Sequence, residues 1–201
     1  MKTLKQHINE ALKIGKNLSE WSSYSYQPKT NEELNDIIKV RIKEQGPECD
    51  LNDIDVSLID DMSWLFEGSK FDGDISKWNV SNVKNMHGMF FQSHFNRNIS
   101  NWNVSNVNNM DSMFNGSEFN GNISKWDVSN VSRMMAMFSH SVFNQDISKW
   151  DVSNVENMAY MFEDSEFNHD ISNWKINKNC KTTDMFTRCP IKEEFKPVLP
   201  R

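Results

Sequence analysis

Phe71-Asp-Gly-Asp-Ile75-Ser-Lys-Trp78-Asn-Val80-Ser-Asn-Val83-Lys-Asn-Met86-His-Gly-Met89-Phe90-Phe-Gln-Ser93-His94 is one unit of an internal repeat with a period of 24 residues. Phe71 returns as Phe95, Phe119, Phe143 and Phe167, and Trp78 as Trp102, Trp126, Trp150 and Trp174. Met89-Phe90 returns as Met113-Phe114, Met137-Phe138, Met161-Phe162 and Met185-Phe186, with no insertion anywhere in the series. A fixed period in the range of 20–50 residues is the mark of stacked repeat units, none of which buries its apolar face alone.

Within a unit the apolar spacing changes. Ile75, Trp78 and Val80 read as a short strand, with Trp78 and Val80 facing the core and Lys77, Asn79 and Ser81 facing out. Val83, Met86, Met89 and Phe90 recur every three or four residues, which suits a tight helical or 3₁₀ return. Corners such as Asp72-Gly73-Asp74 and Asn96-Arg97-Asn98 use residues that bond their own backbone. Invariant Ser columns (Ser76, Ser93 and their equivalents) and the Asn82 column read as ladders that satisfy backbone groups. The predicted fold class is an α+β repeat solenoid, leucine-rich-repeat-like, with short parallel strands on one face, short helical turns on the other, and an N-terminal helical cap.

Working outward, a partial first coil starts at Leu51, and the last decays near residue 188, where Cys189-Pro190-Ile191 replaces Ser-x-Phe. The predicted boundaries are an amphipathic helix over 1–18, a Ser-rich linker over 19–29, a helical cap over 30–50, repeats over 51–188 and a C-terminal cap over 189–201. Leu4, Ile8, Ala11 and Leu12 give the first helix its stripe. Some of Trp21, Tyr24 and Tyr26 are expected to pack, since a bare linker needs no aromatics. Thr30 and Glu33 have capping-box spacing, and Gly46-Pro47 ends the helix they begin. In the last coil Asn179 stands where a second valine is expected.

Composition excludes several classes. A net charge of −6 gives no basic footprint for nucleic acid. Three cysteines, Cys49, Cys180 and Cys189, do not make a disulfide framework. The start of the chain lacks a signal peptide's apolar core, and no run is long enough to span a membrane. The expected location is therefore the cytoplasm of the producing cell, or a virion. The histidines share no column, and the equivalents of Asp72 are Asn96, Asn120, Asn144 and Asn168, so neither metal nor cofactor is expected. A repeated Ser or Asn with no base beside it is no catalyst, and the chain is not expected to be an enzyme.

Residues 143–162, Phe-Asn-Gln-Asp-Ile-Ser-Lys-Trp-Asp-Val-Ser-Asn-Val-Glu-Asn-Met-Ala-Tyr-Met-Phe, carry a pattern that resembles the BspA-like leucine-rich-repeat family. The flanks resemble those of small members of gut-bacterial and phage type. The resemblance implies a non-enzymatic scaffold that binds another protein, and many members of that family are surface lipoproteins or adhesins. Sequestering or inhibiting a partner is the expected role; a virion component addressed by its N-terminal helix, or an adhesin-like surface protein, is the alternative.

Two sets of residues are candidates for protein binding. The outward columns of the expected sheet hold Lys77, Asn101, Lys125 and Lys149, and beside them Asn79, Asn103, Asp127, Asp151 and Lys175. The second set breaks its own columns: Trp64, Phe91, Met135 and Tyr160 stand where other coils carry polar or small residues, and exposed aromatics and Met are enriched at interfaces.

Overall fold

The computed structural model describes residues 25–200. The helix expected over 1–18, Trp21 and Tyr24 lie outside them. Among the described residues there is one α-helix, α1 (Asn31–Gln45), one 3₁₀ helix (Glu193–Phe195) and no β-strand. Coils pair instead through single parallel bridges, Asp61 to Asn85 to Asn109 to Arg133 to Asn157 to Lys181. The expected α+β solenoid with strands near Ile75–Val80 is thus overturned.

The reason lies in how the apolar residues are spaced. Each coil is built of i→i+3 turns. In the unit 71–94, Trp78 N–H donates to the Ile75 carbonyl (3.2 Å), Val83 to Val80 (2.9 Å), Met89 to Met86 (3.2 Å), Phe91 to Gly88 (3.0 Å) and Ser93 to Phe90 (3.2 Å). The three-residue spacing is the chord of a turn whose two ends both point inward. Trp78 and Val80 share a side because one closes a turn and the other opens the next, not because they alternate along a strand.

The second half of each coil keeps the hydrogen bonding of a sheet without its conformation. The N–H groups of Met86, Gly88, Phe90 and Gln92 donate to the carbonyls of Asn109, Asp111, Met113 and Asn115 at 2.8–2.9 Å. Yet Gly88 and Gln92 have φ of 59° and 51°. A positive φ at the third residue of a turn is the type II signature, and it breaks the run of extended residues that a strand requires.

Side chains hold the first half of the coils together. Each indole N–H of the Trp78 column reaches back to a carbonyl 27 residues earlier, as in Trp78 to Leu51 (2.9 Å) and Trp102 to Ile75 (3.1 Å). The Asn82 amide donates to the Ser57 carbonyl at 2.7 Å, and Asn106, Asn130 and Asn154 repeat the bond one coil on each time. The corners form a third ladder, in which Asn96 N–H bonds the Asp72 carboxylate and Asn120 N–H the Asn96 amide oxygen, both at 2.9 Å. Inside, Phe66, Phe90, Phe114, Phe138, Phe162 and Phe186 stack at 5.4–5.8 Å with ring planes within 11° of parallel. The Trp column is buried beside them.

The helix α1 closes the N-terminal end by burying Leu34, Ile37 and Ile38. The Thr30 hydroxyl accepts the Glu33 N–H (3.2 Å), but the Glu33 carboxylate accepts from Lys29 N–H (2.7 Å), one residue before the expected cap amide. Thr30→Ala is expected to lower stability by about 1 kcal/mol, measured by urea denaturation; no change would mean that burial alone sets where the helix starts. Arg41 pins the helix to the first coil through Asp53 (2.8 Å). Burial pushes the Asp53 carboxyl up, but hydrogen bonds from Arg41 and Ser25 outweigh it and hold the carboxyl below its ordinary range.

Tyr26 forms a bridge with Ile54 and is half-buried. In the last coil the chain slips by one residue. The turn that should close on Asn179 closes on Cys180 instead, whose N–H donates to Asn177 (2.9 Å), so the buried valine position is filled by a cysteine. Register is recovered at Lys181, which bridges Asn157. Beyond it Ile191 is buried, and Phe195 accepts the Ile171 N–H (3.0 Å).

Candidate functional site

The first candidate set does not lie on a sheet. Lys77, Asn101, Lys125 and Lys149 are exposed at turns, and Lys175 is exposed outside one. Asn79, Asn103, Asp127 and Asp151 are also exposed, but their side-chain oxygens are spent locally. Asn79 Oδ1 accepts both the N–H (3.2 Å) and the hydroxyl (2.7 Å) of Ser81, and Asp127 does the same with Ser129. Hydrogen bonds from Ser153 hold the Asp151 carboxyl below its ordinary range. These residues shape the corner, and a partner meets there only a lysine-dotted rim whose ion pairs are individually weak.

The second set comes together on the face formed by the positive-φ turns. Trp64 (φ 60°) and Tyr160 (φ 61°) occupy the same left-handed position as Gly88, Ser112, Ala136 and Asp184. Trp64 is 41% exposed and Tyr160 37%. Four coils separate them, or roughly 19 Å at the spacing of paired chains, and in their own column only Gly88, Ser112 and Ala136 lie between.

The Trp64 ring lies over the next coil, where a Cβ on Gly88 would fall 2.4 Å from ring atoms, so Gly88 has to be glycine for the indole to lie there. His87 and Phe91 meet the ring edge-on at 4.5 and 5.7 Å. Phe91 is half-buried, which makes this end of the face aromatic. At the other end Arg188 pairs with Asp164 and with Glu163 (3.1 Å), and His140 stands 3.5 Å from Asp164. The Arg188 contact holds the Asp164 carboxyl below its ordinary range. Met135 is half-buried beside Ala136 and lends the middle of the floor an apolar patch.

A left-handed backbone costs a residue with a Cβ roughly 1–2 kcal/mol, and a bulky side chain there is unusual. The Trp64 indole N–H and the Tyr160 hydroxyl have no hydrogen-bond partner among the described residues. Two large amphipathic rings are therefore held out at strained positions, their polar ends unpaired among the described residues. Residue counting alone finds both as column-breakers. Their backbone strain has a sequence signal too, since Gly68, Gly88 and Gly116 fall in the two columns that turn out left-handed.

Asp111 and Arg133 are not evident from the sequence as a pair. In the coils that carry Asp or Asn in this column, its side chain accepts the N–H two residues on, as Asn109 does for Asp111 (3.0 Å) and Asn157 for Ala159 (3.1 Å). Arg133 occupies that column and has no such oxygen. Asp111, fully buried one coil earlier, accepts the orphaned Met135 N–H (2.7 Å) and also binds the Arg133 guanidinium (2.7 Å).

Among the described residues no group of three or more His, Cys, Asp or Glu side chains is placed to hold a metal ion, and no helix is long and apolar enough to cross a membrane. A family profile described as "Mycoplasma protein of unknown function, DUF285" matches residues 41–141 and 94–196. The chain belongs to this family. The two matches overlap and together run from the last turn of α1 through the coils into the C-terminal cap. Searches among curated proteins and among solved structures return no match.

Proposed function

We propose that this DUF285 chain is a non-enzymatic scaffold that binds a partner protein along its left-handed turn face and sequesters or inhibits it. One observation carries the reading: two aromatic side chains stand exposed at backbone positions that disfavour them, with polar tips unpaired among the described residues. Strain retained at exposed residues points to function rather than packing, and rings of this kind are the usual anchors of protein interfaces. The likeness of residues 143–162 to BspA-like repeats supports the same reading. We place the protein in the cytoplasm, where its three free thiols would stay reduced.

Tyr160→Asn tests this, because asparagine tolerates the left-handed backbone. The substitution is expected to change stability by less than about 1 kcal/mol, relief of strain offsetting lost packing. It should also reduce recovery of the co-purifying protein from the producing cell at least tenfold, as should Trp64→Gly. Unchanged recovery with both variants would sink the proposal, whatever their stability.

A further inference from the structure

In every later coil, two carbonyls of the turn face point back toward the N-terminal end and are taken by the coil before. Met89 accepts the Phe66 N–H (2.9 Å) and Phe91 the Gly68 N–H (2.8 Å), and the pattern repeats down to Met185 and Thr187. Leu65 and Glu67 hold these positions in the first coil. Their donors would come from residues 24 earlier, Ile42 and Glu44, but those belong to α1, and a helix spends its N–H groups on itself. The end helix therefore covers the core of the first coil without continuing its ladder.

Asn31 repairs one gap, donating its amide to the Ser63 carbonyl (2.9 Å). The carbonyls of Leu65 and Glu67 have no donor among the described residues. They border a groove of about 300 Å³ between α1 and the first coil, where apolar Ile38, Ile42 and Leu65 alternate with polar Asn35, Lys39 and Glu67. A backbone acceptor without a partner is costly where water is excluded; Leu65 is buried and Glu67 exposed, and both stand beside an open groove of mixed polarity with the exposed Trp64 at its rim.

We infer that this groove binds an extended segment of a partner protein, which supplies the backbone N–H groups that a preceding coil would have supplied. The interface is continuous with the coil-to-coil ladder, and the ladder defines its occupant. The N–H groups of two residues, one apart from the next but one, must reach Leu65 and Glu67. The first of the two must carry a large apolar side chain, as Phe66 and Phe114 do, and the second must accept a left-handed backbone, as Gly68 and Gly116 do. The recognised class is thus a Phe-x-Gly-like triplet in an otherwise extended peptide, bound by ladder augmentation. The inference rests on the protein-binding proposal and locates one anchor of it.

The chain's own residues 109–117, Asn-Met-Asp-Ser-Met-Phe-Asn-Gly-Ser, provide the probe as a synthetic nonapeptide. Titrated against the full chain by NMR, it is expected to bind with shifts confined to α1 and the first coil. N-methylation at the Phe or the Gly of the peptide should weaken binding at least tenfold, and N-methylation at the Asn between them should not. Ile42→Trp, which fills the groove, should abolish binding, and Asn35→Trp does the same from the groove's rim if the first variant folds poorly. Tyr160→Asn should leave peptide binding intact. No binding, equal sensitivity at all three amides, or binding that survives a folded groove-filling variant would overturn the inference. Loss of partner capture in Tyr160→Asn with no peptide binding would leave the broader proposal standing and this one refuted.

Discussion

Phe114→Ala is expected to lower the free energy of unfolding by about 3–5 kcal/mol, the range for deleting a fully buried aromatic ring. Phe114 is wholly buried, and its ring lies 5.5 Å from Phe90, 4.3 Å from Phe119 and 5.8 Å from Phe138. The cavity has little freedom to collapse. Phe90 N–H bonds the Met113 carbonyl and Phe114 N–H the Met137 carbonyl, at 2.9 and 3.0 Å, so the backbone is pinned to both neighbouring coils. Phe186→Ala in the half-buried last layer should cost well under half as much, because that ring stacks on only one ladder neighbour. In a stack whose stability is a sum of units and nearest-neighbour interfaces, a central lesion also weakens two interfaces and a terminal one weakens a single interface. Chemical denaturation followed by Trp fluorescence measures both; equal losses would show that the Phe column is not the continuous core described above.

The Asp111–Arg133 pair gives the second large effect, and its sign depends on context. Arg133→Asn alone restores the asparagine found in the neighbouring coils but strands a buried carboxylate, at a cost of about 2–4 kcal/mol. This is somewhat below the usual range for breaking a buried ion pair, because the Arg133 side chain is 54% exposed. Asp111→Ala alone leaves the Met135 N–H without an acceptor, for about 1–3 kcal/mol. Together the two changes recreate the arrangement seen at Asn157 and Ala159, and the double variant is expected to fall within about 1 kcal/mol of the parent chain. A double-mutant cycle should therefore return a coupling energy of about 2 kcal/mol or more. Simple additivity of the two losses would refute the view that Asp111 substitutes for the missing Asx oxygen.

These two cases also mark how far the sequence can be read. Phe114 is identifiable as core from the repeat alone, since a large ring returning every 24 residues at an inward turn position can only be buried in a stack. The role of Asp111 is not identifiable in that way. It is an acidic residue in a column that also holds histidine, methionine and alanine, and its partner is 22 residues away in the next coil. The slip at Cys180 is hidden for a similar reason. A one-residue shift is invisible to column counting when the residue after an expected valine is itself small and apolar.

The repeat period, the register of the coils, the inward set of Phe, Trp, Met and Val, and the helical cap opening at Thr30 can all be read from the order of the residues. Each follows from which residues are apolar and how far apart they stand. That the coils are made of turns and not strands, and that Trp64 and Tyr160 are held on left-handed backbone, emerges once the coils are stacked. An inward residue every three positions satisfies a strand end, a 3₁₀ turn or a type II turn alike. The choice among them is made by hydrogen bonds to residues one full coil away, where the backbone of the neighbour selects the φ that lets its carbonyls be met.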